Sequence, residues 1–213
     1  MKTDDLVMLL AAGAGPVAPR ATARRYGAAA GWGAFGSLLV MALLLGVRPD
    51  LREAALLPMF WIKLAFPLSI AAAALAASAR LSRPGVRLGG VPFALAAPVL
   101  VIWAMAAWVL SGAAPEARAA LVLGNTWSLC PLFVALVSVP SFAAAMWAMR
   151  GLAPTRLALA GAAAGLLAGA IGAAAYALHC NEMQASFLAV WYVLGMLIPA
   201  AAGALLGPWL LRW

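Results

Sequence analysis

Apolar residues in this chain do not alternate with polar ones at the period of a strand or of a surface helix. They come in six long runs, at approximately 27–47, 56–79, 91–111, 128–149, 157–178 and 185–209. About 20 apolar residues coiled as an α-helix match the hydrocarbon thickness of a bilayer, so the pattern predicts an all-α membrane protein, a six-helix transmembrane bundle over 27–213. The gaps between runs leave no room for a second folded domain outside the bilayer and predict tight helical hairpins. An arm, 1–26, precedes the first run. Two aspartates and two prolines stand in it where a cleavable signal would need a basic region directly before a short apolar core, so the first run reads as a retained helix.

Composition agrees. Of 213 residues, 67% are hydrophobic and 9% charged, and the mean hydropathy is +1.02, outside the balance of a water-soluble domain. The net charge of +8 would suit nucleic acid if the basic residues formed one face. They are instead scattered through the gaps between apolar runs, so direct nucleic-acid binding is not expected and the bilayer is the first partner.

Their distribution sets an orientation. Numbering the gaps from the amino terminus, one side receives Lys2, Arg20, Arg24, Arg25, Arg80, Arg83, Arg87, Arg150, Arg156 and Arg212, and the other only Arg48, Arg52 and Arg118. Asp50, Glu53, Glu116 and Glu182 fall on the base-poor side, Asp4 and Asp5 on the base-rich one. Lys and Arg are retained in the cytoplasm, which predicts a multi-pass membrane protein with both termini cytoplasmic.

That orientation puts the third and fifth gaps outside, and with them both cysteines: Cys130 at the outer end of the fourth run and Cys180 just beyond the fifth. His179, the one histidine of the chain, and Glu182 stand beside Cys180. The outward compartment is oxidising and is where metal ions arrive first. Three readings stand open for the pair: a disulfide, a sensor of oxidant or of a transient metal ion held by Cys130, Cys180 and His179, or simple filler of the kind buried cysteine often provides. No permanent cofactor is expected.

Within the runs, Gly161, Gly165 and Gly169 repeat a small residue every fourth position, a stripe for close helix packing. Pro67, Pro98, Pro140 and Pro199 fall inside runs two, three, four and six and favour kinks. Trp127, Trp191, Trp209 and Trp213 near run ends suit an interfacial aromatic belt. Lys63 is the one charge inside a run. It reads either as a snorkelling lysine or as the partner of an outer carboxylate, Asp50 or Glu53. No acidic residue lies at mid-membrane, as a pump or coupled transporter would ordinarily require. Two isolated cysteines do not make a Cys-x-x-Cys dithiol site, and a single histidine excludes a bis-histidine haem. An enzyme is therefore not expected. A small transporter or channel remains the alternative reading, with a structural subunit of a larger complex behind it.

The arm holds the remaining signal. Thr3, a good N-cap, precedes the carboxylates of Asp4 and Asp5, and the pattern stops at Gly13 to Pro16, which predicts a short helix over 3–10. Leu6, Leu9 and Leu10 share one side, with Val7 widening it. So short a helix forms on a surface rather than alone. Its acidic end is a poor match for an anionic leaflet, so a protein groove is the expected surface, with residues 15–19 as the tether.

Taken together, Met1-Lys2-Thr3-Asp4-Asp5-Leu6, Gly46-Val47-Arg48-Pro49-Asp50-Leu51, Phe60-Trp61-Ile62-Lys63-Leu64, Ala153-Pro154-Thr155-Arg156-Leu157, Ala177-Leu178-His179-Cys180 and Val190-Trp191-Tyr192 resemble the NrsF family of bacterial membrane anti-sigma factors. The resemblance runs the length of the chain and rests on the ensemble of these tracts. It implies a six-span inner-membrane protein whose cytoplasmic amino-terminal segment, here Thr3, Asp4, Asp5, Leu6, Val7, Leu9 and Leu10, holds an extracytoplasmic-function (ECF) sigma factor inactive. It also implies that the two outward cysteines take part in stress sensing. Asn181 stands where the family pattern often has proline, and the His-x-x-x-Cys-x-x-Cys of soluble zinc-type anti-sigma domains is absent.

Overall fold

A computed structural model of the protein describes residues 3–12 and 21–212. Lys2, Arg20, the 15–19 tether and Trp213 lie outside the described residues. Among those described there are helices and turns and no strand, as the runs predict. The first helix, α1 (Thr3–Ala12), extends two residues beyond the expected 3–10 and buries none of its residues.

Among the described residues, five helices are long and apolar enough to cross a membrane: Thr22–Leu45, Pro58–Leu81, Val91–Gly112, Leu157–Tyr176 and Ala185–Leu210. The expected fourth span differs. It is two helices, Cys130–Val137 and Val139–Arg150, bent by 47° at Ser138, and counting that broken pair as one span gives six. The cause is local. Pro140 has no backbone N–H to give and occupies the first turn of the second half, and the Ser138 hydroxyl turns back to the Ala135 carbonyl at 2.7 Å. The first span also begins earlier than position 27: α2 (Ala21–Val40) already includes Arg24 and Arg25, and Tyr26 is 2% exposed in the bundle.

After α2 and a π turn, Met41–Leu45, the chain makes a short α3 (Leu51–Ala54), α4 (Pro58–Leu81) and α5 (Val91–Gly112). The third gap is not a bare hairpin, because it folds a further helix, α6 (Pro115–Leu123). Then come α7 (Cys130–Val137), α8 (Val139–Arg150), α9 (Leu157–Tyr176), α10 (Ala185–Phe187), a second π turn (Leu188–Tyr192) and α11 (Val193–Leu210).

The centre of this arrangement is α9, of which 56% of the most apolar window is buried against 11% for α5. It packs on α11, α4, α8, α7 and α2. The glycine stripe explains how it can. A Cβ on Gly161 would meet the Gly203 carbonyl, and one on Gly165 the Pro199 carbonyl. At Gly169 the nearest atom would be the Met196 carbonyl, 2.7 Å away. Gly203 and Gly207 return the approach from α11, so backbone lies on backbone along the seam. A second such seam joins α2 to α8. A Cβ on Gly33 would lie 2.8 Å from Ser141 Cα, and the Ser37 and Ser141 hydroxyls bond at 2.8 Å.

At the end of the bundle where α2 begins and α4 ends, the Tyr26 hydroxyl meets Ser82 Oγ at 2.6 Å and donates to the Ser78 carbonyl at 3.2 Å. Arg25 donates to the Trp147 carbonyl at 3.2 Å and lies 4.6 Å above its ring. The opposite end holds both cysteines.

Because the Pro199 carbonyl fills the only space available to a side chain, Gly165→Leu should push α9 and α11 apart. We expect a loss on the order of 3 kcal/mol, seen as a lower melting temperature of the detergent-solubilised protein. Gly31→Ala, where nothing lies within 4 Å of the new methyl, should show no loss.

Candidate functional site

The end of the bundle opposite α2's first turn is built from four segments: the turn after the first π turn, the start of α4, the 124–130 turn, and the 177–184 segment between α9 and α10. Polar groups in an apolar environment must be partnered, and here they are partnered mainly with backbone.

Lys63 lies wholly inside the protein, at 0% exposure. It neither snorkels to the surface nor pairs with Asp50 or Glu53, correcting both expectations. Its ammonium donates to the Cys180 carbonyl at 2.6 Å and to the Glu182 carbonyl at 2.7 Å, and stands 5.6 Å from the centre of the Tyr192 ring. The snorkelling route is closed because the 177–184 segment folds over the lysine.

The carboxylate expected to serve Lys63 serves Arg48 instead. Arg48 Nε and Nη2 donate to the two oxygens of Asp50, each at 2.7 Å, forming a two-pronged pair. The guanidinium holds the Asp50 carboxyl below its ordinary range, and Asp50 in turn holds the arginine's proton more firmly. A carboxyl lowered in this way contributes at all pH values above its unfolded value of about 3.9, and the contribution is lost only as the pH falls through the lowered value. The third arm of Arg48, Nη1, reaches the Cys180 carbonyl at 3.3 Å, and its backbone N–H donates to the Leu178 carbonyl at 3.1 Å. Two cations from the first half of the chain thus grip one carbonyl in the second.

Cys130 and Cys180 come to the same end, as their depth predicts, and both are free thiols, 0% and 3% exposed. The Tyr176 ring lies at the same end, its centre 5.6 Å from that of His179. The Tyr192 hydroxyl is enclosed nearby without a hydrogen-bond partner, and its ring centre lies 6.1 Å from that of Tyr176.

His179 and Glu182 turn elsewhere. His179 Nδ1 lies 2.9 Å from the Gly46 carbonyl, and since a carbonyl only accepts, Nδ1 carries the proton. The Glu182 carboxylate accepts from the Asn125 backbone N–H at 2.7 Å. It also fills the space beside Gly124, where φ is 55° and a Cβ would stand 2.8 Å from the carboxylate carbon. Among the described residues no three of His, Cys, Asp and Glu gather as a metal site.

Glu182 instead latches the third gap to the fifth. Two more bonds tie the third gap to the start of the sixth run: Ser186 Oγ donates to the Leu121 carbonyl at 2.6 Å and Trp191 Nε1 to the Val122 carbonyl at 2.8 Å. Trp127 packs on Trp191 at 5.2 Å between ring centres, so this pair does structural work across the end. Trp209, by contrast, is 84% exposed.

Sequence reasoning missed Arg48, Tyr176 and Tyr192 as parts of this site. A signal existed. The chain has three tyrosines, two of them inside apolar runs, where each hydroxyl needs company. Arg48-Pro49-Asp50 places two opposite charges around a turn. The arm residues Leu6, Val7, Met8, Leu9 and Leu10 are all exposed, from 42% to 70%, so the apolar surface of α1 wraps further round the helix than the expected stripe.

Replacing Lys63 by Met should leave the Glu182 carbonyl unpartnered and the Cys180 carbonyl with Arg48 alone, at about 1–3 kcal/mol for each lost partner. The expected outcome is a lower melting temperature together with faster alkylation of Cys180 by N-ethylmaleimide. An unchanged alkylation rate would mean that the lysine does not hold the segment closed.

A family model described as "NrsF: Negative regulator of sigma F" matches residues 10–213, which covers the bundle and leaves most of α1 outside the match. A "Probable anti-sigma-F factor NrsF" of Azospira oryzae is 56% identical over 213 residues, covering the whole of both chains. An "Anti-sigma-F factor NrsF" of Caulobacter vibrioides is 41% identical over 215 residues, again covering both chains completely. No solved structure matches. The chain that buries a lysine under its Cys180 carbonyl belongs to the NrsF family, negative regulators of sigma F.

Proposed function

We propose that this protein is an anti-sigma factor that sequesters an ECF sigma factor at the bacterial inner membrane and releases it under oxidative or metal stress. The observation that carries the reading is end-to-end similarity to two proteins named as anti-sigma-F factors. The sigma-binding element is α1, with Leu6, Val7, Leu9 and Leu10 as apolar anchors and Thr3, Asp4 and Asp5 at its amino end. Five consecutive exposed apolar residues on a ten-residue helix suit an element that forms its core with a partner. The arginine-rich end of the bundle faces the cytoplasm, by the charge rule, and Cys130 and Cys180 face the periplasm.

The sensor is the cysteine pair. Both thiols are covered, so the stimulus acts when the 177–184 segment lifts. Two-electron oxidation of the pair by an external oxidant, with loss of both thiol protons, would join α7 to that segment. To move such a switch from mostly bound to mostly released, the modified site must favour the releasing state by a few kcal/mol.

Leu6→Asp with Leu9→Asp should abolish co-purification of the sigma factor from membranes while leaving the amount of membrane protein unchanged. Equal recovery with wild type would remove α1 from the interface. Cys130→Ser and Cys180→Ser should each leave sigma-dependent transcription unresponsive to oxidant and to soft metal ions. Intact induction in both would make the cysteines packing residues.

A further inference from the structure

The arginine-rich end of the bundle contains a built concavity. The turn between α4 and α5 is closed on itself, because Arg80 Nη1 at the end of α4 donates to the Leu88 carbonyl just before α5. Gly85 and Gly89 bend the turn at φ of 75° and 55°. Against it lies the start of α9, and the two enclose a pocket of about 430 Å³ lined by Arg83, Arg87, Arg156, Thr155, Gly85 and Leu88 among others.

All three arginines are exposed, and among the described residues no hydrogen bond or ion pair occupies their side chains. The lining contains no carboxylate. Asp50, Glu53, Glu116 and Glu182 belong to the opposite end of the bundle, so among the described residues no bundle carboxylate stands at this end. Three arginines lining one pocket are suited to a group with several acceptor oxygens and at least one negative charge.

A second hollow begins one turn further along the chain. Leu88 lines the pocket, and Pro92, in the first turn of α5, lines an apolar groove of about 510 Å³ that continues past Leu95, Val99 and Leu100 to Trp103. Pro92 to Trp103 spans about 16 Å at the helical rise, and the groove is open on the lipid-facing flank of α5, where Leu100 is 60% exposed. A basic pocket with an apolar furrow that begins four residues further along the chain, at Pro92, matches one kind of molecule.

We propose that Arg83, Arg87 and Arg156 bind the phosphate of an anionic phospholipid headgroup, with one acyl chain lying in the groove along α5. The site is separate from α1 and from the cysteine end, and it does not depend on the anti-sigma reading.

The test uses the full chain in a neutral detergent. Phosphatidylglycerol, phosphatidylcholine and inorganic phosphate are titrated, and binding is read by native mass spectrometry and by the shift in melting temperature. Wild type should retain phosphatidylglycerol in preference to phosphatidylcholine. Arg83→Gln with Arg87→Gln and Arg156→Gln should weaken phosphatidylglycerol by about tenfold. Arg24→Gln with Arg150→Gln and Arg212→Gln removes the same charge from exposed positions at the same end and should leave binding within about twofold. Equal losses in the two triple variants would reduce the effect to general surface charge and overturn the site. A full stabilisation by inorganic phosphate alone would overturn the lipid source. Loss of sigma-factor recovery from the pocket variant with lipid binding intact would assign the arginines to an acidic protein segment instead.

Discussion

An ammonium group with no access to water and no carboxylate opposite it organises the cysteine end of this protein. Burying such a charge costs several kcal/mol, and at Lys63 the offset comes from two short charge-assisted bonds to the carbonyls of Cys180 and Glu182. Those carbonyls are in place because the 177–184 segment folds back over α4, and the lysine is one of the groups that hold it there. The consequence is a mutual dependence between one side chain in the second span and the backbone on either side of a cysteine. Arg48 extends the dependence to the first span, since Asp50 uses two of its donors and the Cys180 carbonyl a third. Chemistry at the sulfur of Cys180 therefore acts on a peptide that both Lys63 and Arg48 hold.

The other organising constraint is steric. Along α9 and α11, glycine leaves carbonyl oxygens of one helix where a side chain of the other would have begun. Since water is absent from a bilayer core, such association comes from close packing rather than from hydrophobic burial. This makes α9 the shared wall of the bundle and leaves α5 at its margin, largely toward lipid. Stability is thus concentrated in the middle of the molecule, while the polar bonds that define its character lie at the two ends.

Much of this was legible in the chain. Apolar runs of bilayer length gave the helices, and the spacing of Gly161, Gly165 and Gly169 gave the seam, because both follow from helical geometry alone. The common depth of Cys130 and Cys180 was legible for the same reason. Lys63 was found but its partner was not, because backbone carbonyls leave no mark in a sequence, whereas the aspartate that attracts attention was already bound by Arg48. His179 and Glu182 stood beside Cys180 in sequence, yet a turn sends neighbouring side chains in different directions, and theirs went to Gly46 and Asn125. The break at Ser138 was visible as Pro140, but its angle depends on the hydroxyl turning inward as well. Helix α6 escaped notice because its nine residues lie in a gap too polar to look like a span.

Both π turns, Met41–Leu45 and Leu188–Tyr192, belong to the cysteine end, one leading into Gly46 and Arg48 and the other ending in Tyr192. Each accommodates one residue more than regular winding would. Letting that surplus residue go would rotate the adjoining stretch by about 100° and slide it by about 1.5 Å, without any helix having to melt. The molecule thus holds, next to its thiols, a screw-like freedom that the described residues of its arginine-rich end do not share.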